Sequence, residues 1–261
     1  MGAHDREIEA TLALLAPDPR CALERLEALE HLAGCVLRSW PADVLHDRYY
    51  DLPGNSLRTR GYALRLRRRG SAWLLALKGR ARRVALAAQR LEIEGDPADP
   101  AILDAIDREL GQSGRLAGYR GALGRDTATA LAGSGWLTVQ DRETLRRPRH
   151  LVAPDGSRPA EMAIDTVTYR AAGRELRHHE VEIESPSELA VVEAAARELL
   201  QAFGAELVPW PHSKLATGIA IAVLAALGEL ATLADAAGEI TPRGHDCIRS
   251  LLEDAAYRLE P

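Results

Sequence analysis

The stretch Glu180-Val181-Glu182-Ile183-Glu184 decides how this chain is read. Three carboxylates alternate with two β-branched residues, and a period of two is strand geometry. Such a strand carries Glu180, Glu182 and Glu184 on one face and Val181 and Ile183 on the other. Like charges stacked this closely repel unless cations sit among them. The pattern returns at Glu7-Ile8-Glu9 and at Glu92-Ile93-Glu94. Strands with a basic polar face lie between, Leu64-Arg65-Leu66-Arg67 being the clearest. Several acidic and several basic alternating strands predict a sheet closed around a charged interior.

Composition bounds the possibilities. A chain of 261 residues with 46% apolar side chains can build a full core. A net charge of -5 argues against nonspecific DNA coating. Cys21, Cys35 and Cys247 have no metal-type spacing, which argues against zinc and fits a cytoplasmic setting. No signal-peptide pattern opens the chain, and the apolar run 215–234 contains Glu229, so no membrane partner is expected. A cytoplasmic protein of bacterial type is the expectation.

Working outward along the chain, residues 7–15 form a first strand with Glu7, Glu9 and Thr11 on its inner face, stopped by Pro17 and Pro19. The spacing of Leu23, Leu26, Leu29 and Leu32 predicts a packing helix over 22–35. Strands follow through 44–79, with a turn at 53–56 and a hairpin at Gly70-Ser71. Arg65 and Arg67 share a face, Lys78 aligns with Ala76 and Leu74, and Arg90, Glu92 and Glu94 align on the next strand. A helix is expected after Asp96–Asp99, with Leu103, Ile106 and Leu110 facing the core. Residues 111–135 give no clear element. The strand at 136–147 places Gln140, Arg142, Thr144 and Arg146 together, and Met162–Tyr169 is a further strand. A helix over 187–203 opens on Ser187 as its N-cap. A helical tail runs over 215–257, broken near 238–242. Arg83 and Arg149 read as solvated charges, Arg80, Arg82 and Arg83 as a basic loop, His178-His179 as structural or exposed, and Trp210 as packing.

About eight alternating antiparallel strands describe an α+β protein: an antiparallel β-barrel or tunnel with helices packed outside and a C-terminal helical tail. Its interior would hold Glu7, Glu9, Arg65, Arg67, Lys78, Arg90, Glu92, Glu94, Arg142, Arg146, Asp165, Glu180, Glu182 and Glu184. Arginine and lysine are donors for a chain of phosphates. Clustered carboxylates hold hard divalent cations, Mg²⁺ or Mn²⁺, that bridge phosphate oxygens. Such a site positions a phosphoanhydride and activates a water on a metal.

The ordered set of motifs resembles the CYTH domain, or triphosphate tunnel metalloenzyme, family over residues 5–217. Glu7-Ile8-Glu9-Ala10-Thr11 stands for the opening Glu-x-Glu-x-Lys strand. Tyr49-Tyr50-Asp51, Leu64-Arg65-Leu66-Arg67, Leu77-Lys78, Arg90-Leu91-Glu92-Ile93-Glu94, Arg142, Met162-Ala163-Ile164-Asp165, the closing glutamates and Ser213-Lys214 follow in the family's order. Thr11 departs from the signature lysine, and Thr217 stands where many members carry arginine. The resemblance implies an eight-stranded tunnel over 1–217 with a helical extension over 218–261. It implies metal binding by Glu7, Glu9, Asp165, Glu180, Glu182 and Glu184. Phosphate binding would fall to Arg65, Arg67, Lys78, Arg90, Arg142, Arg146 and Lys214, and catalysis to Glu182, Asp165 and Glu94. The expected activity is metal-dependent hydrolysis of a triphosphate, inorganic triphosphate first and a nucleoside triphosphate second. A polyphosphate- or nucleotide-binding module without turnover and a class IV-type adenylate cyclase are the alternatives. A homodimer through the C-terminal helices is a further expectation.

Overall fold

Eight strands whose polar residues recur at every second position have one wall facing a charged lumen and one facing apolar helices. The computed structural model describes residues 5–111, 116 and 123–254. The eight barrel strands are β1 (Asp5–Leu14), β2 (Asp43–Asp51), β3 (Ala63–Arg69), β4 (Ala72–Lys78), β5 (Ala87–Gly95), β6 (Leu137–Val152), β7 (Ala160–Ala171) and β8 (Arg174–Ser185). They pair antiparallel in the order β7-β8-β1-β5-β4-β3-β2-β6, and β6 pairs back onto β7, closing the barrel. Closure removes the exposed edges of an open sheet. Short strands at Cys35–Ser39, Arg82–Val84 and Leu207–Pro209 add to the wall on β6, β5 and β1.

The register sets the interior. Thr11 lies opposite Glu182 and Glu9 opposite Glu184 across β1 and β8. Glu7 lies opposite Arg90 on β5. Asp165 on β7 faces Glu180 on one side and Arg146 on the other. Glu7 with Arg90 and Asp165 with Arg146 are favourable cross-strand pairs, whereas Glu9 opposite Glu184 and Asp165 opposite Glu180 place carboxylate against carboxylate and need a cation between them.

The helices are α1 (Pro19–Glu27), α2 (Ser56–Thr59), α3 (Pro100–Glu109), α4 (Leu123–Ala132), α5 (Leu189–Phe203), α6 (Lys214–Ala226), α7 (Leu230–Leu233) and α8 (Pro242–Glu253). Two apolar layers cover the outside of the barrel. In the first, Ala22 and Leu26 of α1 and Val192, Ala195, Ala196 and Leu199 of α5 pack on Ile8, Leu12, Met162, Ile164, Val181 and Ile183. In the second, Ile102, Leu103 and Ile106 of α3 cover Leu64, Leu66, Leu75, Leu77 and Ile93. Each fully buried aliphatic side chain contributes about 2 kcal/mol before entropy is set against it.

A third layer closes one end of the barrel. Ala216, Ala220 and Ile221 of α6 pack with Ala13, Val167, Tyr169 and Trp210, and Ile248 of α8 joins them. The first turn of α6 is pinned: the Ser213 hydroxyl caps it, Tyr169 donates to the Lys214 carbonyl at 2.9 Å, and Gln140 donates to the Leu215 carbonyl at 3.0 Å. Gly218 permits this fit, because a Cβ there would lie 2.1 Å from Gln140 Nε2 and 2.6 Å from Tyr169 Cε1. The division expected after residue 217 falls within α6.

Three local readings are corrected, and one, the turn at 53–56, is present and extended by a helix. The helix expected over 22–35 ends at Glu27, because Ala33 (φ 50) and Gly34 (φ 73) form the two-residue turn of a hairpin between His31–Leu32 and Cys35–Ser39. The turn expected at 53–56 leads into α2, which Asp51 caps by accepting from Leu57 N and Arg58 N. Ser187 does not cap α5; Ser185 Oγ accepts from Ser187 N and Glu188 N instead. Arg149 is buried rather than solvated and donates to the Leu26 and Leu29 carbonyls at the end of α1. The unassigned segment 111–135 contains α4, but 112–115 and 117–122 lie outside the described residues, as does the end of the tail with Tyr257. Among the described residues no helix is long and apolar enough to cross a membrane.

Candidate active site in the tunnel

Alternation turns charged residues of six of the strands, β1, β3, β4, β5, β6 and β8, toward a cavity of about 1050 Å³. Glu7, Glu9, Thr11, Arg65, Arg67, Lys78, Arg90, Glu92, Glu94, Arg142, Arg146, Glu182, Glu184 and Lys214 line it, as the sequence predicts for the strand residues. Glu180 and Asp165 lie deeper, both almost fully buried.

The six carboxylates expected to bind metal fall into two groups. Glu7, Glu9 and Glu184 form the upper group and Asp165, Glu180 and Glu182 the deep one, each with carboxylate oxygens within 4.8 Å of one another. Their surroundings differ. Arg146 holds Asp165 bidentately at 2.9 and 2.7 Å and also pairs with Glu182. Lys214, projecting from the first turn of α6, pairs with Glu180 and Glu182 and reaches Asp165 at 3.1 Å. In the upper group Arg90 binds Glu7 at 3.1 Å and Glu9 at 2.6 Å, and Lys78 reaches Glu7 at 3.2 Å. Among the described residues Glu184 has one ion pair, with Arg146 at 3.9 Å.

Protonation follows from these partners. Burial pushes the carboxyls of Glu7, Glu9, Glu182 and Glu184 up, and the outcome depends on whether fixed cations outweigh it. At Glu182 the charges of Lys214 and Arg146 win and hold the group well below the usual carboxylate range. At Glu7, Lys78 and Arg90 do the same. At Glu9 burial prevails over Arg90, helped by the charges of Glu7 and Glu182, and the carboxyl is pushed up to about 7. Glu184, buried and near Glu7 and Glu182 with only the distant Arg146 to oppose them, is pushed up to about 8. The upper group thus lacks positive charge. A hard divalent cation on three carboxylate oxygens supplies what is missing, so these residues fit Mg²⁺ or Mn²⁺.

The opposite wall is rich in donors. Arg67 binds Asp47 bidentately at 2.7 and 2.9 Å. Arg142 donates to Asp47 at 3.2 Å, to Tyr49 Oη at 2.9 Å and to Gln140 at 2.9 Å. Arg65 pairs with Glu94 at 2.6 Å, so Glu94 belongs to this wall and to neither carboxylate group. The Nε atoms of Arg65 and Arg142 are buried and have no acceptor among the described residues. Arg65, Arg67 and Arg142 all line the lumen, where their positive charge can meet a phosphate oxygen.

Sequence reading missed several residues. Asp47 and Tyr49 face inward beside Arg142, while the neighbouring His46 and Arg48 pair with Glu143 and Asp141 on the outside, so charge on both faces hid the alternation. His178 is fully buried and lies 3.0 Å from both Glu180 Oε2 and His245 Nε2; His245 in turn contacts the Thr241 carbonyl through Nδ1. Burial, with His178 beside it, pushes His245 down to about 3. His178 thus sits between the two, its Nδ1 toward His245 and its Nε2 toward Glu180. Trp210 packs between His178 and His245 and donates to Thr217 Oγ1, a packing role as expected. Arg83 is exposed and donates to the Pro211 carbonyl at 2.7 Å beside the cavity.

A closed antiparallel barrel whose lumen is lined by clustered carboxylates interleaved with guanidinium and ammonium groups defines a charged-tunnel protein. The CYTH domain model matches residues 40–208, and the chain belongs to the CYTH domain family. Glu7, Glu9 and Lys214 lie outside the matched segment and are placed by the structure. A Hippeastrum protein, described as an adenylyl cyclase candidate with a dominant triphosphatase activity, shares 19% identity at a TM-score of 0.54, over 81% of this chain and 94% of its own. A Bacillus halodurans protein, described as an adenylate cyclase candidate, shares 18% identity at a TM-score of 0.48, over 82% and 97%. No curated protein matches in sequence.

Proposed function

We propose that the chain hydrolyses the terminal phosphoanhydride of a small triphosphate, inorganic triphosphate in the first place, with Mg²⁺ or Mn²⁺ held by Glu7, Glu9 and Glu184. One observation carries this reading: one cavity is lined both by a carboxylate group short of positive charge and by the guanidinium groups of Arg65, Arg67 and Arg142. Membership of the CYTH family and the triphosphatase activity in the description of the Hippeastrum protein support it.

Each wall has its part. Arg65, Arg67 and Arg142 bind the phosphate chain, and Asp47 and Tyr49 fix the guanidinium planes of Arg67 and Arg142. Lys78 bridges Glu7 and Glu92 at 3.2 and 3.0 Å, at the junction between metal and phosphate positions. Arg90 orients Glu7 and Glu9. A divalent cation supplies, when bound, Lewis acidity toward phosphate oxygens and water. Hydrolysis breaks the bond between the terminal phosphorus and its bridging oxygen, giving orthophosphate and pyrophosphate.

A small inorganic substrate is favoured over a nucleotide by the aromatic residues on the cavity wall. Tyr49 lies under Arg142 at 4.8 Å, and Trp210 is fully buried among histidines, so neither ring face is open to a base. The test is phosphate release from inorganic triphosphate and from ATP, with Mg²⁺ or Mn²⁺ and with chelator. The reading predicts metal-dependent release with inorganic triphosphate preferred, and Glu9→Gln and Glu184→Gln variants slowed about 100-fold or more. Release that persists in chelator, or cyclic nucleotide formed from ATP, contradicts it.

A further inference from the structure

Resting on that reading, we propose that Lys214 is the built-in counter-ion of the deep carboxylate group, so that the tunnel takes one divalent cation rather than two. The deep group looks like a second metal position by carboxylate count alone. Its carboxylates already have cation partners. Glu180 has Lys214 and the buried His178 as partners, and Asp165 and Glu182 each have both Lys214 and Arg146. A divalent ion placed there would face two fixed cations and no unpartnered carboxylate.

The upper part of the tunnel has the opposite balance. Among the described residues, Glu7, Glu9, Glu92 and Glu94 pair there with Lys78, Arg65 and Arg90, and Glu184 reaches Arg146 at 3.9 Å, a cation already counted in the deep group, so five carboxylates face three cations of their own. Two negative charges remain, the charge of one Mg²⁺ or Mn²⁺.

The position of Lys214 explains why it can hold this role. It is the first residue of α6, whose start is capped by Ser213 and tied to the barrel by Tyr169 and Gln140. The ammonium is therefore delivered to the carboxylates with its backbone already fixed. Thr11, where the family signature has lysine, lies directly opposite Glu182 on the neighbouring strand and carries no charge. Lys214 supplies from the barrel end the positive charge that strand β1 lacks at that point.

The test counts ions. Mn²⁺ binding to the full chain is measured by equilibrium dialysis, and spin coupling by electron paramagnetic resonance, for the wild type, Lys214→Ala, Lys214→Arg and the double variant Thr11→Lys/Lys214→Ala. The proposal predicts one Mn²⁺ and an uncoupled spectrum for the wild type, and two coupled ions for Lys214→Ala. One ion is expected for Lys214→Arg and for the double variant, whose new ammonium approaches Glu182 from β1. Two ions in the wild type overturn the proposal whatever the variants do, and that result needs no variant to fold. One ion in both the wild type and a folded Lys214→Ala also overturns it, because Lys214 is then not what excludes the second ion. No ion in the wild type refutes instead the metal-dependent function on which the proposal rests.

Discussion

Metal affinity should depend steeply on pH between 6 and 8, through Glu9 and Glu184. Burial and neighbouring carboxylates push Glu9 up to about 7 and Glu184 up to about 8, and a divalent cation binds only the ionised forms. If the two titrate independently, the cation displaces about two protons at pH 6 and fewer than one at pH 8. Apparent affinity should then rise about 500-fold from pH 6 to pH 8 and level off above it. The same shifts act on the metal-free fold with a fixed sign. Both groups bind protons more tightly folded than unfolded, so their stabilising contribution is complete below about 4.5 and is lost as pH rises through 7 and 8. Saturating Mn²⁺ should reverse that trend. Isothermal titration of Mn²⁺ at pH 6, 7 and 8, in buffers of different ionisation enthalpy, counts the released protons directly. An affinity that does not change across this range, or binding without proton release at pH 6, would refute the assignment of the cation to Glu9 and Glu184.

Three further outcomes are expected. Gly218→Ala should destabilise the fold by about 2 kcal/mol, read as a lowered midpoint in chemical denaturation, because the added methyl has no room beside Gln140 and Tyr169. Arg146→Ala removes one of two cations from fully buried Asp165 and should cost about 3–5 kcal/mol in the same assay. Arg65→Ala deletes a donor to phosphate and should lower kcat/KM for inorganic triphosphate about 10- to 100-fold, with metal affinity little changed.

The barrel was legible because its charge alternates. A charged residue at every second position of Glu7–Glu9, Arg65–Arg67, Arg90–Glu94 and Glu180–Glu184 fixes which face each strand turns inward, and the structure places all of them on the lumen or at its deep end. Asp47 escaped because its strand carries charge on both faces, where ion pairs on the outside mimic an inner pattern. The hairpin at Ala33-Gly34 was hidden by leucines that recur every third residue, and there a positive-φ turn overrode helical spacing. The link from Glu180 through His178 to His245 spans 67 residues and depends on α8 seating at the barrel end, which no local pattern encodes. Lys214 was found as a cation in the tunnel, but whether its ammonium meets phosphate or carboxylate is decided by the pinning of α6, a tertiary contact.

The central claim is that this tunnel cleaves a triphosphate with a cation on its upper carboxylates. Phosphorus NMR of inorganic triphosphate incubated with the protein tests it most directly, with Mg²⁺ or Mn²⁺ present or chelated. The account predicts orthophosphate and pyrophosphate in equal amounts, formed only with the metal and suppressed in Glu184→Gln. Triphosphate left intact by a folded, metal-loaded protein would contradict it.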